Sequence, residues 1–393
     1  MTTVIYGGSF NPPHLGHVSA AQSVYEALRL DRFLIIPTNI APHKAAAAGS
    51  PDAAARLQMC RLAFAGIPGA EVSPMEMERE GKSYTADTIS ILREKYPEDE
   101  LYLVVGTDMF LSFREWHEYK YLLDNCTLAV LSRETDDRGE ILSFKRSLEN
   151  EDGARIRLIE HEPLPMSSAE IRAMLPKAGG AELLDDGVYS LIIKNRWYAA
   201  KPELRWLREK VRPYLTEKRA RHVAGCEEQA VKLARRWGAD VYEAAEAGIL
   251  HDITKKLSDE EQLIMCDKYG IILDAAERRN PRILHARTGA ALARELFGIP
   301  DGIYSAIRWH TTGKPDMSLM EKIIYLADFT EPTRDFKGVE PLRKLCFEDI
   351  DRAMELGLRM SLEEIRSRGE DAYKDTVGAY QWYKKEQGGS ATC

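Results

Sequence analysis

Two kinds of apolar spacing divide this chain. From its start to about Tyr198, short β-branched and aromatic runs alternate with stretches of helical period. Thr3 to Tyr6, Phe33-Leu34-Ile35-Ile36, Leu101-Tyr102-Leu103-Val104-Val105, Thr127-Leu128-Ala129-Val130-Leu131 and Ile156-Arg157-Leu158-Ile159 each read as a buried strand. Between them apolar positions recur at helical spacing, as at Val18, Ala21, Val24, Tyr25 and Leu28 and from Ala53 to Phe64. This alternation predicts an α/β domain with a doubly wound parallel sheet and ligands at the carboxyl ends of its strands. Beyond Pro202 strand signals nearly vanish and long amphipathic helices follow, so the second half is expected to be all-α. The expected division is a first domain over residues 1–198, a linker over 199–204, a helical domain over 205–386 and a small, polar, frayed tail over 387–393.

Composition agrees with two domains. A chain of 393 residues exceeds one ordinary core. Hydrophobic content of 44% and charged content of 30% are those of a soluble globular protein. No apolar run reaches membrane-spanning length and the opening residues are already strand-like, so neither membrane partner nor signal peptide is expected. The six cysteines are scattered without a C-x-x-C pair, the usage of reduced thiols in a cytoplasmic protein. A net charge of −8 argues against nucleic acid as a main partner, but not against small phosphorylated ligands. Homo-oligomerisation is left open.

The first stretch with chemistry is Gly7-Gly8-Ser9-Phe10-Asn11-Pro12-Pro13-His14-Leu15-Gly16-His17. It joins a strand to a helix start, which aims free N–H groups and a positive dipole end at one point suited to a phosphate. Gly7 and Gly8 would let the phosphate approach the backbone without a Cβ in the way. His14 and His17, three apart, would share a face of the first turn and meet the charge that builds on phosphorus during nucleotidyl transfer.

This string resembles the H-x-G-H nucleotidyltransferases, and in its G-G-S-F-N-P-P-H-x-G-H form the bacterial nicotinate-nucleotide adenylyltransferases. The resemblance implies transfer of an adenylyl group from ATP, with Mg²⁺, to nicotinate mononucleotide. It puts Gly7, Gly8, Ser9 and Phe10 at the nucleotide, and Lys44 of Pro42-His43-Lys44 on the triphosphate. It also sets Tyr84 and Thr85 of Ser83-Tyr84-Thr85-Ala86-Asp87-Thr88 against the pyridine nucleotide, Gly106 and Asp108 on nucleotide, and Trp116 in a stack on the nicotinate ring. Arg133 would reach ATP, and Ser167, Ser168 and Arg172 of Ser167-Ser168-Ala169-Glu170-Ile171-Arg172 would form a second anion site. No nucleophile–base pair stands out, which suits in-line attack by a substrate phosphate, a reaction that needs positioning and charge stabilisation.

In the second half the histidines are the main clue. His222, His251, His285 and His310 are its only ones; Asp252 follows His251 directly, and Asp328 lies in an apolar helical stretch. The gaps of 29, 34, 25 and 18 residues suit ligands on successive helices facing one bundle core. Mixed imidazole and carboxylate donors favour iron, manganese or zinc over calcium or magnesium, and Asp252 could bridge two ions.

These residues resemble the HD-domain metallohydrolases. Arg221-His222, Leu250-His251-Asp252-Ile253-Thr254-Lys255, Leu284-His285-Ala286, Trp309-His310-Thr311-Thr312-Gly313 and Ala327 to Arg334 are most similar to the bacterial HD enzymes that split diadenosine tetraphosphate into two ADP. The resemblance implies two ions of iron (Fe²⁺/Fe³⁺) or Mn²⁺, and substrate phosphates met by Lys255 and Arg334. Three other readings stand beside these. The HD half could sense a nucleotide without turning it over or hydrolyse another nucleotide, and other H-x-G-H enzymes act on phosphopantetheine or glycerol phosphate.

Overall fold

The computed structural model describes residues 1–39, 49–79, 81–132, 138–279 and 281–389, and divides after Lys201 into two compact units. The first unit runs β1 (Thr2–Gly8), α1 (Leu15–Ala27), β2 (Arg32–Pro37), α2 (Ala53–Ala63), β3 (Ala70–Val72), α3 (Thr85–Lys95), β4 (Glu100–Gly106), α4 (Thr107–Leu111), α5 (Tyr119–Asn125), β5 (Thr127–Ser132), α6 (Arg138–Asp152), β6 (Arg155–Glu160), α7 (Ser168–Met174) and α8 (Asp186–Asn195). Its six strands lie in the order β3-β2-β1-β4-β5-β6, and every pair is parallel.

Alternation along the central strands explains why both faces need cover. Ile5, Leu34, Leu103, Val105, Leu128 and Val130 pack in one core with Ile89, Phe110, Phe113 and Leu122 of the helices. Their strand neighbours Val4, Phe33, Ile35, Val104 and Ala129 point the other way and are buried too. Burying each large aliphatic side chain contributes roughly 2 kcal/mol. Strand order reverses between β1 and β4, and the crevice at such a reversal is where open α/β sheets bind ligands. The string beginning at Gly7 leaves the carboxyl end of β1 at that place. β3 escaped the apolar pattern because Ala70-Glu71-Val72 is a three-residue edge strand with no buried position.

The second unit is all-α: α9 (Leu204–Val211), α10 (Glu217–Trp237), α11 (Val241–Leu250), α12 (Asp259–Lys268), α13 (Ala275–Arg279), α14 (Leu284–Phe297), α15 (Asp301–Trp309), α16 (Leu319–Thr330), α17 (Val339–Glu348), α18 (Ile350–Ser367) and α19 (Lys374–Gly389). Side chains define the helix starts. Thr216 and Asp240 accept backbone N–H groups at α10 and α11, and Ser258 with Glu261 and Ser318 with Glu321 form reciprocal boxes at α12 and α16. α10 packs on α11 and α16, and α15 on α11 and α16, which closes a ring of four helices around one core, with α14 packed against α15. Cys60, Cys126, Cys226, Cys266 and Cys346 are buried free thiols. No helix among the described residues is long and apolar enough to cross a membrane.

Candidate active sites of the two units

In the first unit, His14 stands one residue ahead of α1 in extended conformation, and His17 is the third residue of that helix. The pair therefore meets across a helix cap, not along one helical face. The ring centroids are 3.7 Å apart and tilted by 37°. The His14 backbone N–H donates to His17 Nδ1 at 3.2 Å, which leaves the His17 proton on Nε2 as a donor. Burial lowers His14 to about 4; burial, then the neighbouring His14, lowers His17 to about 3. Both imidazoles are thus neutral hydrogen-bonding groups at pH 7. His14 Nδ1 is buried without a hydrogen-bond partner among the described residues.

The two glycines differ. A Cβ at Gly7 would meet nothing within 4 Å among the described residues, so the backbone there is open to approach from them. A Cβ at Gly8 would come 2.9 Å from the Phe10 ring tip, so this glycine makes room for Phe10. Phe10 is fully buried with φ +42 and packs edge-on against His17 at 5.0 Å, a support beneath the site.

Arg172 and Ser168 reach the same loop from α7. The Arg172 guanidinium donates to the Asn11 carbonyl at 2.6 Å and the Ser168 hydroxyl to the Pro12 carbonyl at 2.9 Å. Ser167 caps α7 by accepting from the Glu170 N–H at 3.2 Å. Gly106 caps α4, and Asp108, in the first turn of that helix, is exposed at the carboxyl end of β4. Tyr84 precedes α3, Thr85 opens it, and the Tyr84 ring lies 4.4 Å from that of His117. Trp116 packs on Phe113 at 5.0 Å, and its indole N–H is buried without a partner among the described residues. Lys44 and Arg133 lie outside the described residues. Sequence reasoning missed Arg56. Its buried guanidinium donates to the carbonyls of Ser9 at 3.0 Å, Thr38 at 2.6 Å and Asn39 at 3.0 Å, tying together the loops after β1 and β2. Its place in α2, outside any motif, gave no signal.

In the second unit all six expected ligands converge. His222 comes from α10, His251 and Asp252 from the end of α11, His285 from the first turn of α14, His310 from the end of α15 and Asp328 from α16. The Asp252 carboxylate stands between two sets. Its Oδ2 lies 3.6 Å from His222 Nε2 and 3.4 Å from His251 Nε2; its Oδ1 lies 3.4 Å from His285 Nε2 and 3.7 Å from His310 Nε2. Asp328 Oδ1 is 3.0 Å from His222 Nε2. Two overlapping groups, His222–His251–Asp328 and His251–Asp252–His310, each bring their donor atoms within 4.8 Å of one another.

The outer nitrogens explain why every Nε2 faces inward. Nδ1 of His251 lies 2.8 Å from the Gly248 carbonyl, that of His285 2.8 Å from the Arg282 carbonyl, and that of His310 2.6 Å from the Ile307 carbonyl. Nδ1 of His222 meets the buried Glu331 carboxylate at 3.0 Å. Each partner is an acceptor, so the proton sits on Nδ1 and the Nε2 lone pair is free for a cation. Four such nitrogens with two carboxylates fit first-row transition ions. Burial by itself would raise Asp252, but the facing His251, His310 and His285 hold it well below the usual carboxylate range. Asp328, likewise buried, is held low by His222 and Arg334.

Cations ring this centre. Lys255 Nζ is 3.2 Å from His285 Nδ1, Arg334 pairs with Asp328 Oδ1 at 2.6 Å, and Arg219 pairs with Asp252 Oδ2 at 2.7 Å. Arg219 and Glu331 were not singled out from sequence. Arg219 lies one helical turn before His222, a spacing that could have drawn notice; Glu331 lies inside the Ala327 to Arg334 segment, where no role was given to it.

Comparisons with known proteins follow the same division. The cytidylyltransferase-like family matches residues 5–174, and the HD domain family matches residues 219–333. A probable nicotinate-nucleotide adenylyltransferase of Gemmatimonas aurantiaca is 40% identical over 170 residues, which are 43% of this chain and 78% of that protein. One from Pelobacter propionicus is 39% identical over 184 residues, 43% of this chain and 85% of that protein. The symmetrical bis(5'-nucleosyl)-tetraphosphatase of Bacillus subtilis is 38% identical over 176 residues, 44% of this chain and 92% of that protein. A nucleotide-site sheet domain and a buried HD cluster on one chain, each matched along most of a relative's length, give one conclusion: the chain belongs to the nicotinate-nucleotide adenylyltransferase family through its first half and to the HD-superfamily hydrolases through its second.

Proposed function

We propose that the chain is a bifunctional enzyme. Its first domain (residues 1–198) transfers the adenylyl group of ATP to nicotinate mononucleotide, giving nicotinate adenine dinucleotide and pyrophosphate. The phosphate oxygen of the mononucleotide attacks the α-phosphorus of ATP, a P–O bond forms, and the bond to the bridging oxygen of pyrophosphate breaks in line. His17 Nε2–H, the neutral His14 ring and the N-terminus of α1 are the donors for the charge gathering on that phosphorus. Mg²⁺ bound with ATP would supply charge neutralisation for the leaving pyrophosphate. Lys44, Arg133 and Arg172 are the proposed grips on the phosphates; Tyr84, Thr85 and Trp116 hold the pyridine nucleotide, and Gly106 and Asp108 take a ribose. The observation that carries this half is the His14–His17 stack beside an open Gly7 at the carboxyl end of β1.

The second domain (residues 205–386) hydrolyses diadenosine tetraphosphate symmetrically to two ADP. His222, His251 and Asp328 would hold one iron or manganese ion, His285 and His310 a second, with Asp252 between them. Held there, such ions would supply activation of water and neutralisation of phosphate charge. Lys255, Arg219 and Arg334 supply fixed positive charge for the phosphates on either side of the cleaved anhydride. The division of the two Asp252 oxygens between two imidazole pairs is the observation that carries this half. The complete ligand set favours turnover over sensing alone.

The test separates both activities on one purified chain. With Mg²⁺-ATP and nicotinate mononucleotide it should form the dinucleotide, and with Mn²⁺ or Fe²⁺ it should convert diadenosine tetraphosphate to ADP alone. Intact tetraphosphate, or ATP plus AMP as products, rejects the second assignment; no dinucleotide rejects the first.

A further inference from the structure

We infer that Tyr198 is a positioning residue for the nucleotide-binding turn, an inference that rests on the adenylyltransferase reading above. Tyr198 lies 187 residues from Asn11 in sequence, yet its hydroxyl donates to Asn11 Oδ1 at 2.6 Å. Asn11 is three residues ahead of His14, inside the turn that carries the histidine pair. Its amide group in turn donates to Ser50 Oγ at 2.8 Å, and its carbonyl accepts from Arg172 at 2.6 Å. The Tyr198 backbone N–H donates to the Gly49 carbonyl at 3.0 Å. One residue thus fixes both the turn after β1 and the Gly49–Ser50 stretch that leads into α2.

The backbone around Tyr198 is arranged for this contact. Arg196, Tyr198 and Ala199 have φ of +51, +60 and +54, three left-handed non-glycine residues within four positions. Bulky residues enter that region only where the surroundings over-determine it. Here the compensation is visible: the Tyr198 ring is 4% exposed and its hydroxyl is satisfied by Asn11. Burial raises the phenol far above its ordinary value, so the hydroxyl stays a donor throughout the working pH range. A phenylalanine would keep the ring and the turn but free the Asn11 amide to rotate, and with it the residues leading to His14. Small displacements of catalytic groups lower rate more than they lower binding.

The experiment compares the full-length chain with Tyr198→Phe, Asn11→Leu and the double variant. Tyr198→Phe should lower kcat for dinucleotide formation about tenfold. KM for nicotinate mononucleotide, its binding stoichiometry and the thermal midpoint should stay near wild type. The double variant should be no slower than Asn11→Leu, because both remove one contact. An unchanged kcat in Tyr198→Phe, additive losses in the double variant, or a loss that tracks falling stoichiometry or midpoint overturns the inference. If the wild-type chain forms no dinucleotide, the adenylyltransferase reading fails instead. Tyr198 is then judged by equilibrium affinity for ATP, which Tyr198→Phe must weaken for the inference to stand.

Discussion

The buried carboxylate of Glu331 lies 3.0 Å from Nδ1 of His222 and so sets which nitrogen of that ring faces Asp252 and Asp328. Its position is built into two helices. Thr333 donates to it twice, through its N–H at 2.6 Å and its hydroxyl at 2.5 Å. Gly225, on the α10 face just past His222, leaves the space it fills, since a Cβ there would run into Glu331 Oε2. Removing the charge behind a ligating imidazole weakens metal binding by about 10- to 100-fold. Glu331→Gln should therefore lose metal in a chelator competition well before the wild-type chain does. Gly225→Ala, which displaces the same carboxylate, should behave alike. Equal metal retention in all three proteins would show that Glu331 serves packing alone.

Asp252 offers a second and sharper separation. Its carboxylate faces both imidazole pairs, so Asp252→Asn should lower tetraphosphate hydrolysis by at least about 100-fold. Adenylyl transfer, proposed for the other unit, should be untouched. Metal removal gives the same split without mutation. After dialysis against chelator and return of Mg²⁺ alone, dinucleotide formation should recover and hydrolysis should not, because magnesium prefers oxygen ligands to a nitrogen-rich site. Recovery of both activities with Mg²⁺ would contradict the assigned donor set.

How much of this was legible beforehand follows from the range of each signal. Strands β1, β2, β4 and β5 announced themselves because both faces of each are covered, which forces continuous apolar runs; β6, at one edge, showed through Ile156, Leu158 and Ile159 alone, and β3, at the other edge, has no buried position. The six residues of the proposed metal site could be picked out because chemistry restricts their types and helix packing restricts their spacing, and the structure brings them together. Arg56, Tyr198, Arg219 and Glu331 were not, since each acts through a partner far away in sequence or on another helix. The role of Gly8 was likewise hidden: only the fold shows that it yields space to Phe10.

The histidine pair predicts a pH dependence of stability. The ordinary histidine value is 6.5, and burial lowers His14 to about 4 in the folded chain. Between these values the unfolded chain binds the proton and the folded chain does not, so stability rises with pH across that window. The contribution is complete above about 6.5 and is lost progressively as pH falls toward 4. Near pH 5 the loss from His14 is about 2 kcal/mol. His17 acts in the same direction. Urea unfolding at pH 7.5 and pH 5 should therefore show a smaller pH effect in His14→Gln than in wild type. Identical pH effects would mean that His14 is not held neutral by the fold.

Arg56 supplies the last prediction. Its guanidinium ends on three backbone carbonyls of the loops after β1 and β2, so its loss leaves several polar groups unmatched at once. Hydrogen bonds from a charged donor contribute about 1.5–3 kcal/mol each, though they are not additive within one group. Arg56→Met keeps much of the apolar stem and should destabilise the first unit by about 3 kcal/mol. In urea this appears as an earlier transition of that unit, while tetraphosphate hydrolysis by the second persists at denaturant concentrations that already abolish adenylyl transfer. Arg56→Lys, with one ammonium in place of a fork, can match only part of the set and should fall between the two. If Arg56→Met unfolds with the wild-type midpoint yet loses transfer, Arg56 touches substrate directly; if both midpoint and rate are unchanged, the three carbonyl contacts do not hold the loops.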